Sequence, residues 1–272
     1  MNLNELNIFP AIKNDRNNMP VIFVGHGSPM NAIEENEFTR GWRAAGSSVP
    51  EPEYILFVSA HWETPGTYVT AMEKPPTIHD FGGFPEKLYE VEYPVNGSPE
   101  LADKTVKLVT KTDIKPDLKW GLDHGTWSVL KHMYPDADVP VVQLSLDYSK
   151  DPLYHYELAK ELSSLRKKGV LIIGSGNMVH NLRMVDWRNK EGGHEWAMEA
   201  NSKFVKLIAE NEHEKLIGYK KLGREIELSV PTPEHFLPLL YVLALKEENE
   251  NIFFFNDNTV LGSISMTSVM IY

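Results

Sequence analysis

The sequence predicts an α/β fold, a mixed and mostly parallel central sheet with helices on both faces. Three observations carry this. Short, nearly continuous apolar runs recur at 21–24, 54–59, 139–146, 170–173, 252–255 and 263–272, and runs of that kind suit strands covered on both sides. Helical patterns lie between them. No Gly/Ser linker, repeat or long charge run divides the 272 residues, so a single domain over 1–272 is expected.

The helices announce themselves by their starts. Residues 101–109 follow Ser98-Pro99-Glu100, and 153–166 follow Asp151-Pro152. Each is a capping side chain with proline at the first turn. Residues 196–209 and 236–245 supply two further amphipathic or buried helices. The last two strands follow each other closely, which predicts an antiparallel edge. The stretch 73–94 is rich in Pro, Gly and aromatic residues. A loop that long suggests a lid or pocket wall.

Composition removes whole classes of chemistry. There is no cysteine, so disulfides, iron–sulfur clusters and thiol nucleophiles are excluded. Any metal must be held by nitrogen and oxygen donors. Against 27 basic residues stand 38 acidic ones, a formal charge of −11. A surface of that sign repels phosphate backbones, and no nucleic-acid partner is expected. The stretch from Met1 to Asn18 lacks the basic start and apolar core of a signal peptide. No apolar run reaches the roughly 18 residues of a membrane span. The expectation is a cytoplasmic protein with no membrane partner, as a monomer or small homo-oligomer.

Five of the ten histidines fall where α/β proteins build sites. His26 follows the run at 21–24, His61 the run at 54–59 and His180 the run at 170–173. Ligands bind beyond the carboxyl ends of parallel strands, so neighbouring strands would bring these imidazoles together. His235 lies in Pro231-Thr232-Pro233-Glu234-His235. Thr232 as N-cap and Pro233 at the first position would put it in the first turn of a helix. His124 precedes another helical stretch. A lone histidine at a strand end is ordinarily a packed residue; it is the joint pattern that points to metal. His132, His155, His194 and His213 lie in or beside helices and read as structural. The Gly-Ser-Gly at 174–176 lacks the spacing of a nucleophile elbow and the lysine of a phosphate loop.

Six segments around these histidines together resemble one family. They are GHGSPMNA at His26, SAHW at His61, TIHDFGGFP at His79, GLDHGTW at His124, GSGNMVHNL at His180 and PTPEHFLPLLY at His235. In this order they resemble the class III extradiol ring-cleaving dioxygenases, and within them the DOPA dioxygenase subgroup. The resemblance implies one divalent metal ion per chain, held by His26, His61 and His235. It implies that His180 is either a fourth ligand or the acid–base histidine, and that His124 contacts substrate; His79 is assigned with His124 to substrate binding. Glu234 adjoins His235, and neighbouring helical residues diverge, so the two are not expected to ligate together.

The implied reaction is cleavage of a catechol such as DOPA with O2. Zinc is expected as the bound metal and iron(II) as a candidate working metal. Phe81, Phe84 and Trp62 would wall the ring or simply pack. The same histidines admit a zinc-dependent hydrolase of a small molecule, which would not need oxygen. They also admit a non-catalytic binding protein on the same fold.

Overall fold

The apolar runs of the sequence become strands, and those at the centre of the sheet have no side turned to water. The computed structural model describes residues 9, 10, 12 and 18–272; most of the polar stretch from Met1 to Asn18 therefore lies outside the described residues. The strands are β1 (Val21–Gly25), β2 (Tyr54–Thr64), β3 (Thr67–Thr70), β4 (Ile114–Asp117), β5 (Val141–Asp147), β6 (Val170–Gly176), β7 (Ile252–Phe255), β8 (Thr259–Val260), β9 (Ile264–Ser265) and β10 (Ser268–Ile271). Eight form one sheet, ordered β4-β3-β5-β2-β6-β1-β10-β7. Its centre, β5-β2-β6-β1, is parallel. β10 runs antiparallel to β1 and β7, and β3 antiparallel to β5. The mixed, mostly parallel sheet and its antiparallel C-terminal edge are as predicted.

Alternation along the strands divides the core in two. Val21 and Phe23 of β1, Leu56 and Val58 of β2 and Ile172 of β6 enter one cluster. Ile22 and Val24, Ile55 and Phe57, and Leu171 and Ile173 enter the other. Side chains on a strand alternate between faces, so a strand buried on both sides must be apolar at every position. That is the physical reason the runs are continuous.

Helices cover both faces. They are α1 (Glu37–Ser48), α2 (Pro99–Leu108), α3 (His124–Met133), α4 (Pro152–Glu161), α5 (Glu195–Ala209) and α6 (Leu237–Ala244). Trp42 of α1 and Trp127 of α3 pack into the second cluster. Leu101, Leu158, Phe204 and Leu239, from α2, α4, α5 and α6, pack into the first. Two of the predicted caps are in place. Ser98 Oγ accepts from the Leu101 amide at 3.0 Å, and Asp151 Oδ1 from that of Tyr154 at 2.9 Å. Among the described residues no helix is long and apolar enough to cross a membrane.

Three local readings change. The helix predicted over 153–166 breaks at Leu162 into α4 and a short helix Ser163–Arg166. The strand predicted over 263–272 divides into β9 and β10, which belong to different sheets. β3 and β4 carry no apolar run; only Ile114 of β4 is buried, so nothing in the pattern marks it.

One buried ion pair joins the start of β1 to the chain beyond α6. Arg166 donates through Nε to the Met19 carbonyl at 2.7 Å, through Nη1 to the Leu245 carbonyl at 2.6 Å, and pairs with Glu250. The two side chains are 1% and 7% exposed. Removing one partner leaves the other charged and buried. Arg166→Ala is expected to lower the unfolding free energy by about 3–5 kcal/mol in chemical denaturation. The double change Arg166→Met with Glu250→Leu should recover most of that loss. An unchanged midpoint for Arg166→Ala would show that the pair contributes nothing.

Candidate metal centre and substrate pocket

Parallel pairing brings the histidine-bearing strand ends together. Gly25 of β1 pairs with Gly176 of β6, and the His26 amide donates to the Gly176 carbonyl at 3.1 Å. His26 is thus the first residue past the sheet. His61 arrives by a bulge. From Val58 to Glu63, β2 advances five residues while its partner β5 advances two, from Leu144 to Leu146. The surplus lifts Ser59 to Trp62 out of register, and bulges of this sort re-aim side chains beside active sites. His61 therefore lies inside an irregular β2 that continues to Thr64, not beyond the end of the strand. His180 follows β6, with its amide on the Ser229 carbonyl at 2.8 Å.

His235 is not in a helix. The amides of Phe236 and Leu237 both donate to the Pro233 carbonyl at 2.9 Å, forming a turn, and α6 begins only at Leu237. The predicted cap fails because the Thr232 hydroxyl donates to Glu234 Oε1 at 2.8 Å, a carboxylate partner. The turn packs close to β6: a Cβ at Gly176 would sit 2.0 Å from the His235 carbonyl oxygen. Glycine there is what lets the two segments meet. His124 is the first residue of α3, whose N-cap is Asp123.

All five imidazoles converge. The rings of His26, His61 and His235 form a triangle with centroid separations of 5.0, 5.3 and 5.0 Å. His124 lies 3.9 Å from His61, and His180 stacks on His235 at 3.5 Å. Ligand atoms of His26, His61 and His124 fall within 4.8 Å of one another, as do those of His180, Glu234 and His235.

The hydrogen bonds decide which nitrogens are free. The Ser175 hydroxyl donates to the Gly125 carbonyl at 2.8 Å. A hydroxyl has one proton to give, so toward His26 Nδ1, at 2.9 Å, it accepts. Asp80 Oδ2 accepts from His124 Nδ1 at 2.9 Å and lies 3.5 Å from His61 Nδ1. Glu234 Oε1 accepts from His235 Nδ1 at 3.1 Å. Three imidazoles, those of His26, His124 and His235, are thus held with their protons on Nδ1, which leaves the Nε2 lone pair of each as the ligand atom. An oxygen acceptor behind each histidine is the usual arrangement at metal sites. Glu234 Oε1 sits at Nδ1 of His235, the nitrogen that carries the proton.

The electrostatics agree. Burial, reinforced by the neighbouring histidines, holds His26 and His235 well below the ordinary imidazole range. His61 is lowered to about 3 and His180 to about 4, burial again being the main cause. At Asp80 burial pushes upward, but the side-chain and backbone hydrogen bonds from His124 lower it again and leave the carboxyl below its ordinary value.

These residues fit a divalent cation. Nε2 of His26, whose proton is on Nδ1, stands 3.1 Å from Nε2 of His61, close enough for both nitrogens to reach one ion. Two nitrogens bound tetrahedrally to one ion at zinc–imidazole length would lie about 3.3 Å apart.

The cluster floors a pocket of about 330 Å³, within the range of small-molecule sites. Phe81, Phe84, Leu182, Val185, Trp187 and Leu261 line it. The long loop therefore does contribute a wall. His79 is not brought to that surface: its Nε2 is tied to the Val91 carbonyl at 3.0 Å, and its ring packs on Phe81 and Trp127. Trp62 is buried and stacks on Trp120, so it belongs to the packing. His132 bonds the Asn31 carbonyl, and His155 the Tyr241 hydroxyl. Sequence reading passed over Asp80, Ser175 and the rim residues after His180. Asp80 had a signal, since it adjoins His79 in a matching segment; Ser175 and the rim had none.

A mixed α/β sheet with nitrogen donors converging beyond its parallel strand ends defines a metal-dependent enzyme. Residues 20–267 match the family described as the catalytic LigB subunit of aromatic ring-opening dioxygenase. The chain belongs to that family, and it is an extradiol ring-opening dioxygenase. A 4,5-DOPA dioxygenase extradiol of Escherichia coli (strain K12) is 49% identical, over 93% of this chain and 94% of its own. One of Beta vulgaris is 38% identical, over 84% and 87%. The crystal structure of an uncharacterized protein from Escherichia coli K12 superposes with a TM-score of 0.81 at 42% identity, covering 93% of this chain and all of that one.

Loss of an acceptor behind a metal-binding histidine costs about 10–100-fold in metal affinity. Ser175→Ala removes the partner of His26 Nδ1 and is expected to weaken divalent-metal binding by that factor in a chelator competition titration. An affinity equal to the unaltered protein's would show that the Ser175 contact does not orient His26.

Proposed function

We propose that the protein opens the ring of a catechol with molecular oxygen at one divalent metal held by His26, His61 and His235. DOPA is the substrate indicated by its relatives' names. The observation that carries this reading is the floor of the pocket, with five imidazoles, three buried and His61 and His180 half-buried, under aromatic and aliphatic walls. The whole reaction is assigned to one domain spanning 1–272. When bound, a redox-active ion such as iron(II) supplies Lewis acidity and an electron for oxygen; zinc, which the same nitrogens would also hold, supplies only the first.

The chain's own residues handle position and protons. His124 has its Nδ1 proton committed to Asp80, so its Nε2 is an acceptor for a substrate hydroxyl. His180 is half-buried and neutral, lowered to about 4. In this reading its ring accepts a phenolic proton and, being a strong acid once charged, returns it readily; in the alternative it is a fourth ligand. Phe81 and Phe84 meet at 5.4 Å and 80° and offer an apolar face to the ring, keeping water away from the hydroxyls.

The test is oxygen uptake after anaerobic loading with iron(II). The unaltered protein is expected to consume oxygen with DOPA or unsubstituted catechol and give a coloured ring-opened product. His26→Ala should reduce the rate by at least about a hundredfold, the cost of losing a ligand and its partner contacts being additive in effect. Silence of the metal-loaded protein toward every catechol would refute the assignment. Turnover that persists without oxygen would replace it with hydrolysis.

A further inference from the structure

We infer that Asp123 is a positioning residue that holds the metal-binding His61 and the substrate-binding His124 at a fixed separation. The inference rests on the roles given to those two histidines above and concerns the groups that support them. Asp123 is fully buried and acts through its neighbours.

A helix cap needs one acceptor. As N-cap of α3, Asp123 Oδ1 accepts from the Thr126 amide at 3.1 Å, and asparagine or serine would serve as well. Asp123 does more than this. The Ser59 hydroxyl of β2 donates to Oδ1 at 2.7 Å, and the Gln143 side chain of β5 donates through Nε2 to Oδ2. Donors thus reach both oxygens, and among side chains of this size only a carboxylate offers two. Gln143 is itself fixed. Its backbone amide donates to Thr70 Oγ1 at 2.8 Å, and its Oε1 accepts from the Thr126 hydroxyl at 2.9 Å. With that oxygen taken, its NH2 is left to face Asp123. The carboxylate therefore ties the start of α3 to two paired strands of the sheet.

Both histidines hang from this junction. His124 is the next residue, at the first position of α3. His61 is reached through Ser59, whose Oγ accepts from the His61 amide at 3.2 Å while donating to Asp123. Ser59 opens the bulge that carries His61. The fit is close. A Cβ at Gly125 would stand 2.7 Å from Ser59 Oγ and 2.8 Å from His61 Cδ2, so the first turn of α3 lies against both the bulge and the His61 ring. The rings of His61 and His124 end 3.9 Å apart. Their separation sets how a substrate hydroxyl at His124 stands to the ligand set. A misplacement of about 1 Å can cost on the order of a hundredfold in rate.

The test is Ser59→Ala, which cuts the link from Asp123 to His61 and leaves the α3 cap in place. Asp123→Asn is the second variant: it keeps size and cap but offers one acceptor oxygen. Ser98→Ala, which removes the cap of α2, is the control for lost stability alone. Three quantities are measured: the denaturation midpoint, the visible spectrum and chelator-competition affinity of the cobalt(II)-loaded protein, and kcat and KM for catechol with iron(II). The control should lower the midpoint and leave spectrum and kcat unchanged. Ser59→Ala and Asp123→Asn are expected to alter the cobalt spectrum and weaken metal binding about tenfold. They should lower kcat at least about tenfold, with KM changed less. Because both cut one link, the double variant should lose little more than the worse single one. Spectra and metal affinities equal to the unaltered protein's, or fully additive losses, would make Asp123 a helix cap only and overturn the inference. The cobalt measurement needs no turnover. If the spectrum shifts while no catechol reacts, the positioning of His61 stands and the catechol reading falls.

Discussion

Five imidazoles share one enclosed space, and a proton on a buried ring there would be a charge without water. The molecule meets this constraint by desolvation and by direction. Burial lowers the proton affinity of His26, His61, His180 and His235, and Ser175, Asp80 and Glu234 draw the N–H of His26, His124 and His235 outward. What is left at the centre is a set of lone pairs. A cation is then the partner best suited to the cavity, and the metal dependence of the family follows from how the protons are arranged.

The fold supplies the rigidity this needs. His26 and His180 come from adjacent parallel strands, and His61 from the next, through its bulge. Because those strands are packed on both faces, their ends cannot shift without disturbing two cores at once. Two of the three acceptors come from elements other than those of the rings they orient: Ser175 of β6 serves His26 after β1, and Asp80 of the long loop serves His124. The site is thereby tied across the sheet. Gly176 matters for the same reason, since any side chain there would hold the His235 turn away from the strand.

Much of this was legible in the sequence. The apolar runs marked strands buried on both sides, and the histidines after them marked the end of the sheet where ligands bind. The six segments together identified the family, which the comparison bears out. Other features had no local signature. The β2 bulge is a matter of register between strands far apart in sequence. β3 and β4 are short, and β4 is mostly exposed, so no periodicity reveals it. Thr232 and Pro233 had the form of a helix start, but a nearby carboxylate took the hydroxyl that would have capped it. The rim at Leu182 and Trp187 looked like ordinary loop, because only the fold brings it to the pocket.

Asp80 has a consequence of its own. One carboxylate accepts from His124 and lies 3.5 Å from His61, so the two rings cannot vary independently. Side chains sharing a partner are coupled, and their substitutions do not add. The pocket therefore carries built-in epistasis: a change at position 124 alters the surroundings of the ring at 61 as it goes. Specificity in this scaffold has more freedom to diverge at the rim, which Asp80 does not touch, than at the floor.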